Sequence, residues 1–411
     1  MQDQQSEGTM TTTILVADKF DESGLDSLRS LGHNVISEPT LTPDTLPAAI
    51  TEHQPTILVV RSTKVKADAI NASKKLAMIV RAGAGTDNID VASASSCGIF
   101  VTNCPGRNSI AVAELAWGLI LSCDRRIPDQ VADLRAGIWN KKEYAKAEGI
   151  AGRTLGVVGL GKIGQEIAAR GRSFGMRVIA WSRSLDEKTA DSFGVDYCEN
   201  LVNLARMADV VSVNVAANKD TANLIDEDFI SSMKDGATLI NTSRGSVVDQ
   251  SALAKAIEER GIRAGLDVFA DEPAAGDNTF KDSIVKLPGV YGTHHVGAST
   301  EQAQHAIAEE AIRVIRTYID TGTILNCINL ASETGASTLT VRHINRPGVL
   351  AHVFYLLGQS NINVEEMENI IYTGGDAACA RIRLSGTPSP EEIGLILDNE
   401  HVLDANITTS S

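Results

Sequence analysis

Short apolar runs alternate with amphipathic segments along the N-terminal part of the chain. Three of these runs are TILVAD, TILVVRS and AMIVRAG, at residues 13–18, 56–62 and 77–83. A run without polar alternation is typical of a strand that is buried on both faces of a parallel sheet. Each run leads into a turn and then into a helical pattern. This rhythm predicts an open α/β sheet.

A long helical pattern follows over residues 109–137, and Pro128 is expected to end or kink that helix. A second strand–helix series begins at TLGVVGLGKIG, and a helix from Ser299 to Thr321 closes it. We expect this last helix to return the chain to the first domain, which makes that domain discontinuous. The expected boundaries are a disordered lead at 1–12, a first domain at 13–108 and 297–330, and a second domain at 109–296.

The tail has a different order of elements, strand–helix–strand–strand–helix–strand over residues 338–411. That order is the βαββαβ pattern of a ferredoxin-like domain. The segment ASETGAS at 331–337 has the small and polar residues of a linker. The complete prediction is an α/β chain of two doubly wound, Rossmann-like domains and a C-terminal ferredoxin-like domain.

Composition narrows the classes of partner. The chain carries 37 basic and 52 acidic side chains, and its net charge of −15 disfavours nucleic acid and anionic membranes. No apolar run reaches the ~18–20 residues that span a bilayer, and the polar N-terminus does not resemble a signal peptide. Six scattered cysteines without CxxC spacing predict reduced thiols in the cytoplasm and no metal site.

A glycine-rich turn predicts a dinucleotide site. The sequence GLGKIG places Gly159, Gly161 and Gly164 in G-x-G-x-x-G spacing, with Lys162 and Ile163 between them. The motif follows the apolar strand TLGVV and opens a helical pattern. This arrangement points a helix N-terminus at a pyrophosphate.

The residues expected to choose between NAD and NADP are Ser182 and Arg183 in AWSRS. An NAD site usually has an acidic residue about 20 residues after the glycines, where it binds the ribose hydroxyls. In this chain the first acid is Asp186. An arginine beside a hydroxyl suits a 2′-phosphate, so NAD and NADP both stay open.

Three strand ends of the second domain supply groups suited to keto-acid chemistry. Arg244 in NTSRGSVVD has a planar fork for a carboxylate and a carbonyl. A histidine in GTHHVGAST can exchange a proton near neutral pH, and Glu272 in LDVFADEP can orient its ring. Open α/β sheets bind ligands at the carboxyl ends of their strands. The set predicts reduction of a 2-keto acid or the reverse reaction.

With these motifs the sequence resembles the D-isomer-specific 2-hydroxyacid dehydrogenases. The resemblance is carried by RAGAGTDNID (81–90), VTNCPGRNSIAVAE (101–114), GLGKIG, NTSRGSVVD and LDVFADEP. It implies catalysis by Arg244, Glu272 and His295. His294 takes the place of the proline that usually precedes the catalytic histidine.

The resemblance also implies which residues line the two ligand sites. On the cofactor side these are Thr242, Ser243, Arg244 and Asp267, the last of them near the nicotinamide amide. On the substrate side Gly83, Ala84, Gly85 and Asn108 meet the carboxylate, and Arg81 adds a positive group. Arg61 in VVRSTKVKA would meet a phosphate, which narrows the substrate to a phosphorylated 2-hydroxy or 2-keto acid of the serine pathway.

The tail resembles an ACT regulatory domain through HINRPGVL at 343–350 and NINV at 361–364. This resemblance implies L-serine as an effector, bound by His343, Asn345 and Asn363, and a homodimer or homotetramer. Two alternatives stay open. One is a reductase of glyoxylate, hydroxypyruvate or 2-oxoglutarate in the same family. The other is a dinucleotide-sensing scaffold like certain corepressors, which the presence of all three catalytic groups disfavours.

Overall fold

The computed structural model describes residues 11–273, 279–331 and 336–409. The chain divides into two compact units, of which the first ends at Asn329 and the second begins at Leu330. Residues 1–10 of the expected lead and 332–335 of the expected linker lie outside the described residues.

The first unit opens with a five-stranded parallel sheet whose strand order is β2-β1-β3-β4-β5. Its elements are β1 (Thr13–Val16), α1 (Glu22–Ser30), β2 (Asn34–Ser37), α2 (Leu46–His53), β3 (Ile57–Val60), α3 (Ala67–Ile70), β4 (Met78–Arg81), α4 (Val91–Ser96) and β5 (Phe100–Thr102). Every residue of β3 is buried, as expected for a strand covered on both faces.

Three helices follow the first sheet: α5 (Ser109–Arg125), α6 (Ile127–Arg135) and α7 (Lys141–Tyr144). The break expected near Pro128 is present. It falls at Arg126, whose left-handed backbone (φ 51°) ends α5, and Pro128 lies in the first turn of α6. Proline is tolerated there because the first N–H groups of a helix have no intrahelical acceptor.

A seven-stranded parallel sheet in the order β12-β11-β10-β9-β6-β7-β8 forms the second half of this unit. Its elements are β6 (Thr154–Val158), α8 (Lys162–Ser173), β7 (Arg177–Trp181), α9 (Glu187–Ser192), β8 (Asp196–Tyr197), α10 (Leu201–Met207), β9 (Val210–Val213), α11 (Glu227–Ser232), β10 (Thr238–Asn241), α12 (Gln250–Arg260), β11 (Arg263–Leu266) and β12 (Val290–Gly292). The strand order reverses between β6 and β9, and a crevice for ligands forms at such a switch point.

The last helix of the first unit, α13 (Glu301–Thr321), packs on the first sheet. Thr300 caps its start by accepting a hydrogen bond from the Ala303 N–H. Ile307 and Ile315 of α13 share one apolar core with residues of β1 and β4. The helix therefore lies against the first sheet, as the sequence indicated. The proposed domain boundaries themselves stay a prediction.

One buried carboxylate, that of Glu310, lies on α13 with its side chain 3% exposed. Its oxygens accept hydrogen bonds from Arg107 Nη2 at 2.5 Å, from Arg313 Nη2 at 2.6 Å and Nε at 3.0 Å, and from Asn326 Nδ2 at 2.8 Å. We call these four residues the Glu310 network. The Arg313 hydrogen bond is the main cause that lowers the pKa of Glu310 to about 2, and the Arg107 and Asn326 bonds add to it against the opposing effect of burial.

The Glu310 network predicts a specific loss of stability in acid. A carboxyl group with a lowered pKa stabilises the fold above its unfolded pKa, near 4.5, and this contribution disappears as the pH falls toward about 2. We expect Glu310→Gln to lower the free energy of unfolding by up to about 3 kcal/mol at pH 7. The difference from the unsubstituted protein should shrink between pH 4.5 and pH 2. Urea unfolding over this pH range would measure it.

Glu309→Gln is the matched control, because the Glu309 side chain is 65% exposed and its ion pair is with His305. Exposed ion pairs contribute about 0–1 kcal/mol. A Glu310→Gln protein as stable as this control at pH 7 would contradict the prediction.

The second unit is a four-stranded antiparallel sheet in the order β14-β15-β13-β16. Its elements are β13 (Ser337–Ile344), α14 (Val349–Gln359), β14 (Val364–Ile371), β15 (Ala377–Leu384), α15 (Pro390–Leu397) and β16 (Val402–Thr409). Alternate residues of β13 are buried, and Leu339 and Val341 join the core with residues of both helices. This is the expected βαββαβ order, and the predicted fold class is confirmed. Among the described residues, no helix combines the length and apolarity needed to cross a membrane.

Candidate active site

A tight turn after β12 presents His295 at the carboxyl edge of the second sheet. The buried Asp267, directly after β11, organises this turn. Its carboxylate accepts from Thr293 Oγ1 at 2.6 Å and from the N–H groups of Val296 and Gly297 at 2.9 Å each. Its carbonyl accepts from the His295 N–H at 2.8 Å. These bonds support the left-handed backbone of His295 (φ 54°), which a non-glycine residue rarely adopts.

The sequence did not indicate that Asp267 organises the turn that carries His295. The carboxylate was expected near the nicotinamide amide, and the structure gives both of its oxygens partners in the histidine turn. The expected contact with a cofactor stays a prediction. The structure adds that the hydrogen bonds of Asp267 hold this turn in one conformation.

Glu272 lies against the ring of His295, with 2.8 Å between Oε2 and Nδ1. The other oxygen, Oε1, accepts from the Phe269 N–H at 3.1 Å. Burial alone would raise the pKa of Glu272, but the hydrogen bond and charge of His295 outweigh it and hold the pKa below its ordinary value. An ionised carboxylate at Nδ1 favours the ring form that keeps a proton on Nδ1, and Nε2 is then the nitrogen that can exchange a proton. His294 has an exposed side chain, and the structure pairs Glu272 with His295.

Arg244 follows β10, and its side chain contacts Asp87 in the part of the unit that the first sheet forms. Its Nη2 lies 2.9 Å from Asp87 Oδ1, and its Nε lies 3.3 Å from Asp87 Oδ2. Its third donor, Nη1, bonds to the Ser243 carbonyl at 2.8 Å, and Asn241 Nδ2 bonds to the Arg244 carbonyl at 2.9 Å. Burial raises the pKa of Asp87, but the Arg244 hydrogen bond and charge lower it further than burial raises it. Asp87 therefore holds the guanidinium as an ionised partner.

Two more arginines converge on this region from β3 and β4. Burial lowers the pKa of Arg81, and the positive charges of Arg244 and Arg61 lower it further. Burial also lowers the pKa of Arg61, while the nearby Asp18 carboxylate opposes the shift. The charges of Arg244 and Arg61 both act on Arg81, so three guanidinium groups outnumber the carboxylates of Asp18 and Asp87 and leave a locally positive pocket in a chain of net charge −15. Such a pocket suits an anionic ligand.

Buried polar atoms without hydrogen-bond partners occur at three residues that were expected to line the ligand sites. Among the described residues these are Arg81 Nε, Asn108 Oδ1 and Thr242 Oγ1, and two further such atoms, His33 Nδ1 and His352 Nε2, belong to no expected site. Buried polar groups are almost always hydrogen-bonded in folded proteins, so an unpartnered group indicates a missing ligand or water. Gly85 belongs to the pocket wall, since a Cβ there would come within 2.8 Å of the Asp87 carboxylate.

The glycine-rich turn after β6 has the geometry that a dinucleotide needs. Gly159 has a φ of 92°, and a Cβ on it would lie 2.8 Å from the Asn214 carbonyl oxygen. Gly164 packs against the Gly159 carbonyl so closely that no side chain fits. Gly161 precedes α8 and offers no capping side chain, so the first N–H groups of α8 are available to phosphates.

The end of β7 carries no acidic side chain in the expected ribose position. Ser182 and Arg183 directly follow Trp181, the last residue of β7. Arg183 is 81% exposed, and its Nη1 lies 3.4 Å from Asp220 Oδ2. Asp186 is already used, because its side chain caps α9 by accepting from the Thr189 N–H at 2.7 Å.

Three side chains of the second unit were expected to form an effector site, and the first of them is His343. This side chain is buried, with Nδ1 2.9 Å from the Ile344 carbonyl oxygen and Nε2 3.1 Å from Asn369 Oδ1. The role of this ring in binding an effector stays a prediction. Asn345 Nδ2 bonds to the Gly375 carbonyl at 2.9 Å, and Asn363 lies exposed just before β14.

Sequence reasoning overlooked Asp87 and Glu310. Asp87 lies within the motif RAGAGTDNID, whose glycines were already expected to meet the substrate. Its carboxylate could therefore have been named as a residue of the same site. Glu310 gave no signal, since a glutamate in an amphipathic helix is usually exposed.

Comparison with known proteins defines the class of this chain. Residues 117–297 match the family described as D-isomer specific 2-hydroxyacid dehydrogenase, NAD binding domain. The hydroxypyruvate reductase of Thermotoga maritima is 38% identical over 304 residues, which cover 74% of this chain and 96% of that protein. The chain therefore belongs to the D-isomer specific 2-hydroxyacid dehydrogenase family and carries its NAD-binding domain. The family predicted from the sequence is confirmed.

Two further similar proteins have names that state their own activity or cofactor. The D-3-phosphoglycerate dehydrogenase of Methanocaldococcus jannaschii is 39% identical over 326 residues, or 78% of this chain, and the match spans 60% of that protein's length. A solved structure of an NADPH-dependent glyoxylate/hydroxypyruvate reductase from Sinorhizobium meliloti, in complex with NADP and malonate, superimposes with a TM-score of 0.66. It is 28% identical, and the match covers 77% of this chain and 96% of that one.

Proposed function

We propose that this protein is an NAD(P)-dependent oxidoreductase that interconverts a 2-hydroxy acid and its 2-keto acid. The observation that carries the proposal is the grouping of Arg244 and the His295–Glu272 pair at one edge of the second sheet, with Arg244 bonded to Asp87 from the first half of the unit. Family membership and the unpartnered Thr242 Oγ1, directly after β10, support a bound dinucleotide.

The residues of the chain divide the chemistry between them. A bound nicotinamide supplies or accepts the hydride at C2 of the acid. Arg244 holds the substrate carboxylate and carbonyl through its planar fork. His295 protonates the developing alkoxide through Nε2, and Glu272 keeps the ring oriented and stabilises its charge as the proton moves. In the oxidation direction the same ring removes the proton from the hydroxyl.

We propose 3-phospho-D-glycerate and 3-phosphohydroxypyruvate as the substrate pair, in the pathway to L-serine. Arg61 supports a phosphate site, because its charge acts on Arg81 and the three guanidinium groups of Arg61, Arg81 and Arg244 outnumber the two neighbouring carboxylates, Asp18 and Asp87. The Methanocaldococcus relative named for this activity supports the same choice. The alternative is a glyoxylate or hydroxypyruvate reductase. The exposed Arg183 without a ribose acid favours it, since that arrangement suits NADPH.

Initial rates with phosphohydroxypyruvate, hydroxypyruvate, glyoxylate and 2-oxoglutarate, each with NADH and NADPH, test this proposal. We expect phosphohydroxypyruvate to give the highest kcat/KM. Arg61→Ala should raise the KM for that substrate by about 10- to 100-fold, because a charge-assisted contact to phosphate is lost. The KM for hydroxypyruvate, the matched substrate without phosphate, should change little. Equal losses for both substrates would rule out the phosphate role of Arg61.

We also propose a homodimer or homotetramer in the cytoplasm, regulated by L-serine. Trp139, 80% exposed between α6 and α7, supports burial against a second copy. The six free cysteines suit a reducing compartment. The uncapped start of α14 after Gly348 suits the carboxylate of an amino acid, together with Asn345 and Asn363. Titration with L-serine, with D-serine as the control, would test the effector.

A further inference from the structure

The Glu310 network lies outside the groups that touch the substrate, yet it connects to them in two directions. The first connection runs through Arg107, whose Nη2 bonds to Glu310 Oε2. Arg107 directly precedes Asn108, the residue at the start of α5 whose Oδ1 is buried without a partner. The backbone of this pocket residue is therefore tied to α13 through its neighbour.

The second connection runs through two asparagines to the other wall of the pocket. Asn326 Nδ2 bonds to Glu310 Oε1 at 2.8 Å and to the Asn103 carbonyl at 3.2 Å. Asn103 in turn donates from Nδ2 to the Ala84 carbonyl at 2.6 Å. Ala84 belongs to the Gly83–Gly85 loop expected to meet the substrate carboxylate. The left-handed backbone of Asn326 (φ 53°) shows that this segment is held in an unusual conformation.

We propose that Glu310 and Arg107 are positioning residues that hold the two walls of the substrate-carboxylate pocket, Asn108 and the Gly83–Gly85 loop, at a fixed separation. The proposal rests on the proposed function, since it assigns a role within that site. Neither residue contacts the reacting atoms.

The physical basis is the number of donors that one buried carboxylate orients. Glu310 accepts four hydrogen bonds from three side chains. Of these, Arg107 is adjacent to Asn108, and Asn326 also bonds to Asn103, which bonds to Ala84. Neutralising the carboxylate weakens these charge-assisted bonds together. Arg107 is 45% exposed and can then turn to solvent. Asn108 and the Gly83–Gly85 loop are then no longer connected through the Glu310 carboxylate.

Kinetics of Glu310→Gln and Arg107→Met test this role, with Glu309→Gln as the matched control one residue away on the exposed face. We expect the two network variants to raise the KM for the 2-keto acid by about 10- to 100-fold, because small displacements of a binding group have large effects. We expect kcat to change less than about threefold and the dissociation constant of the dinucleotide, measured by fluorescence, less than about twofold. The pH profile of kcat should keep its shape, since the His295–Glu272 pair is untouched. Arg107→Lys, which keeps the charge, should restore most of the KM.

The outcomes separate this proposal from the proposed function. An unsubstituted protein that turns over none of the 2-keto acids would overturn both. An active protein with an unchanged KM in Arg107→Met would overturn the positioning role alone, and so would a parallel loss of dinucleotide affinity. Arg107→Met keeps the test valid if Glu310→Gln fails to fold, because Arg107 is partly exposed.

Discussion

Replacement of His295 by alanine is expected to lower kcat by about 10²–10⁴, the usual contribution of a positioned general acid–base. The reason is the geometry of the turn after β12, in which Asp267 fixes the backbone and Glu272 fixes the ring through Nδ1. Without the imidazole, the proton of the alkoxide has to come from water. The affinity for the dinucleotide should change little, because the glycine-rich turn is untouched. Stopped-flow and steady-state rates of the purified variant would measure the loss.

His294→Ala is the matched control for this experiment. It changes the adjacent residue, of the same type and also exposed, but Glu272 bonds to His295. We expect less than about a threefold effect on kcat, since a surface side chain away from the chemistry contributes little. A larger loss in His294→Ala than in His295→Ala would assign the proton to the other ring and overturn the proposed mechanism.

Replacement of Arg244 by alanine should lower kcat/KM by about 10²–10⁴, since a bidentate contact to a charged group is lost and each such bond contributes about 1.5–3 kcal/mol. Lysine at this position should recover only part of the activity, because a point charge cannot replace the planar fork. Arg206→Ala, an exposed arginine on α10, is the control. Full activity in Arg244→Lys would show that charge alone is needed at this position.

The α/β class, the two strand–helix series and the βαββαβ tail could be predicted because they depend on local patterns. Buried parallel strands such as β3 are continuous apolar runs, and the Gly159–Gly164 turn has a spacing imposed by phosphate approach. The candidate catalytic residues could be named because the resemblance rests on short motifs at strand ends. A strand pattern could not show that the His343 ring is buried with polar neighbours at both nitrogens, and its role as an effector ligand stays a prediction.

The sequence by itself determined the order of the elements, the family and the candidates Arg244, Glu272 and His295. Only the tertiary structure decided which charged side chains form ion pairs. Arg244 bonds to Asp87 across 157 positions of the chain, and Arg107 bonds to Glu310 across 203 positions. Hydrophobic periodicity reports which face of an element is buried, but it carries no information about which distant polar groups share a site. The energetics of such groups depend on burial and partners, and both exist only once the chain has folded.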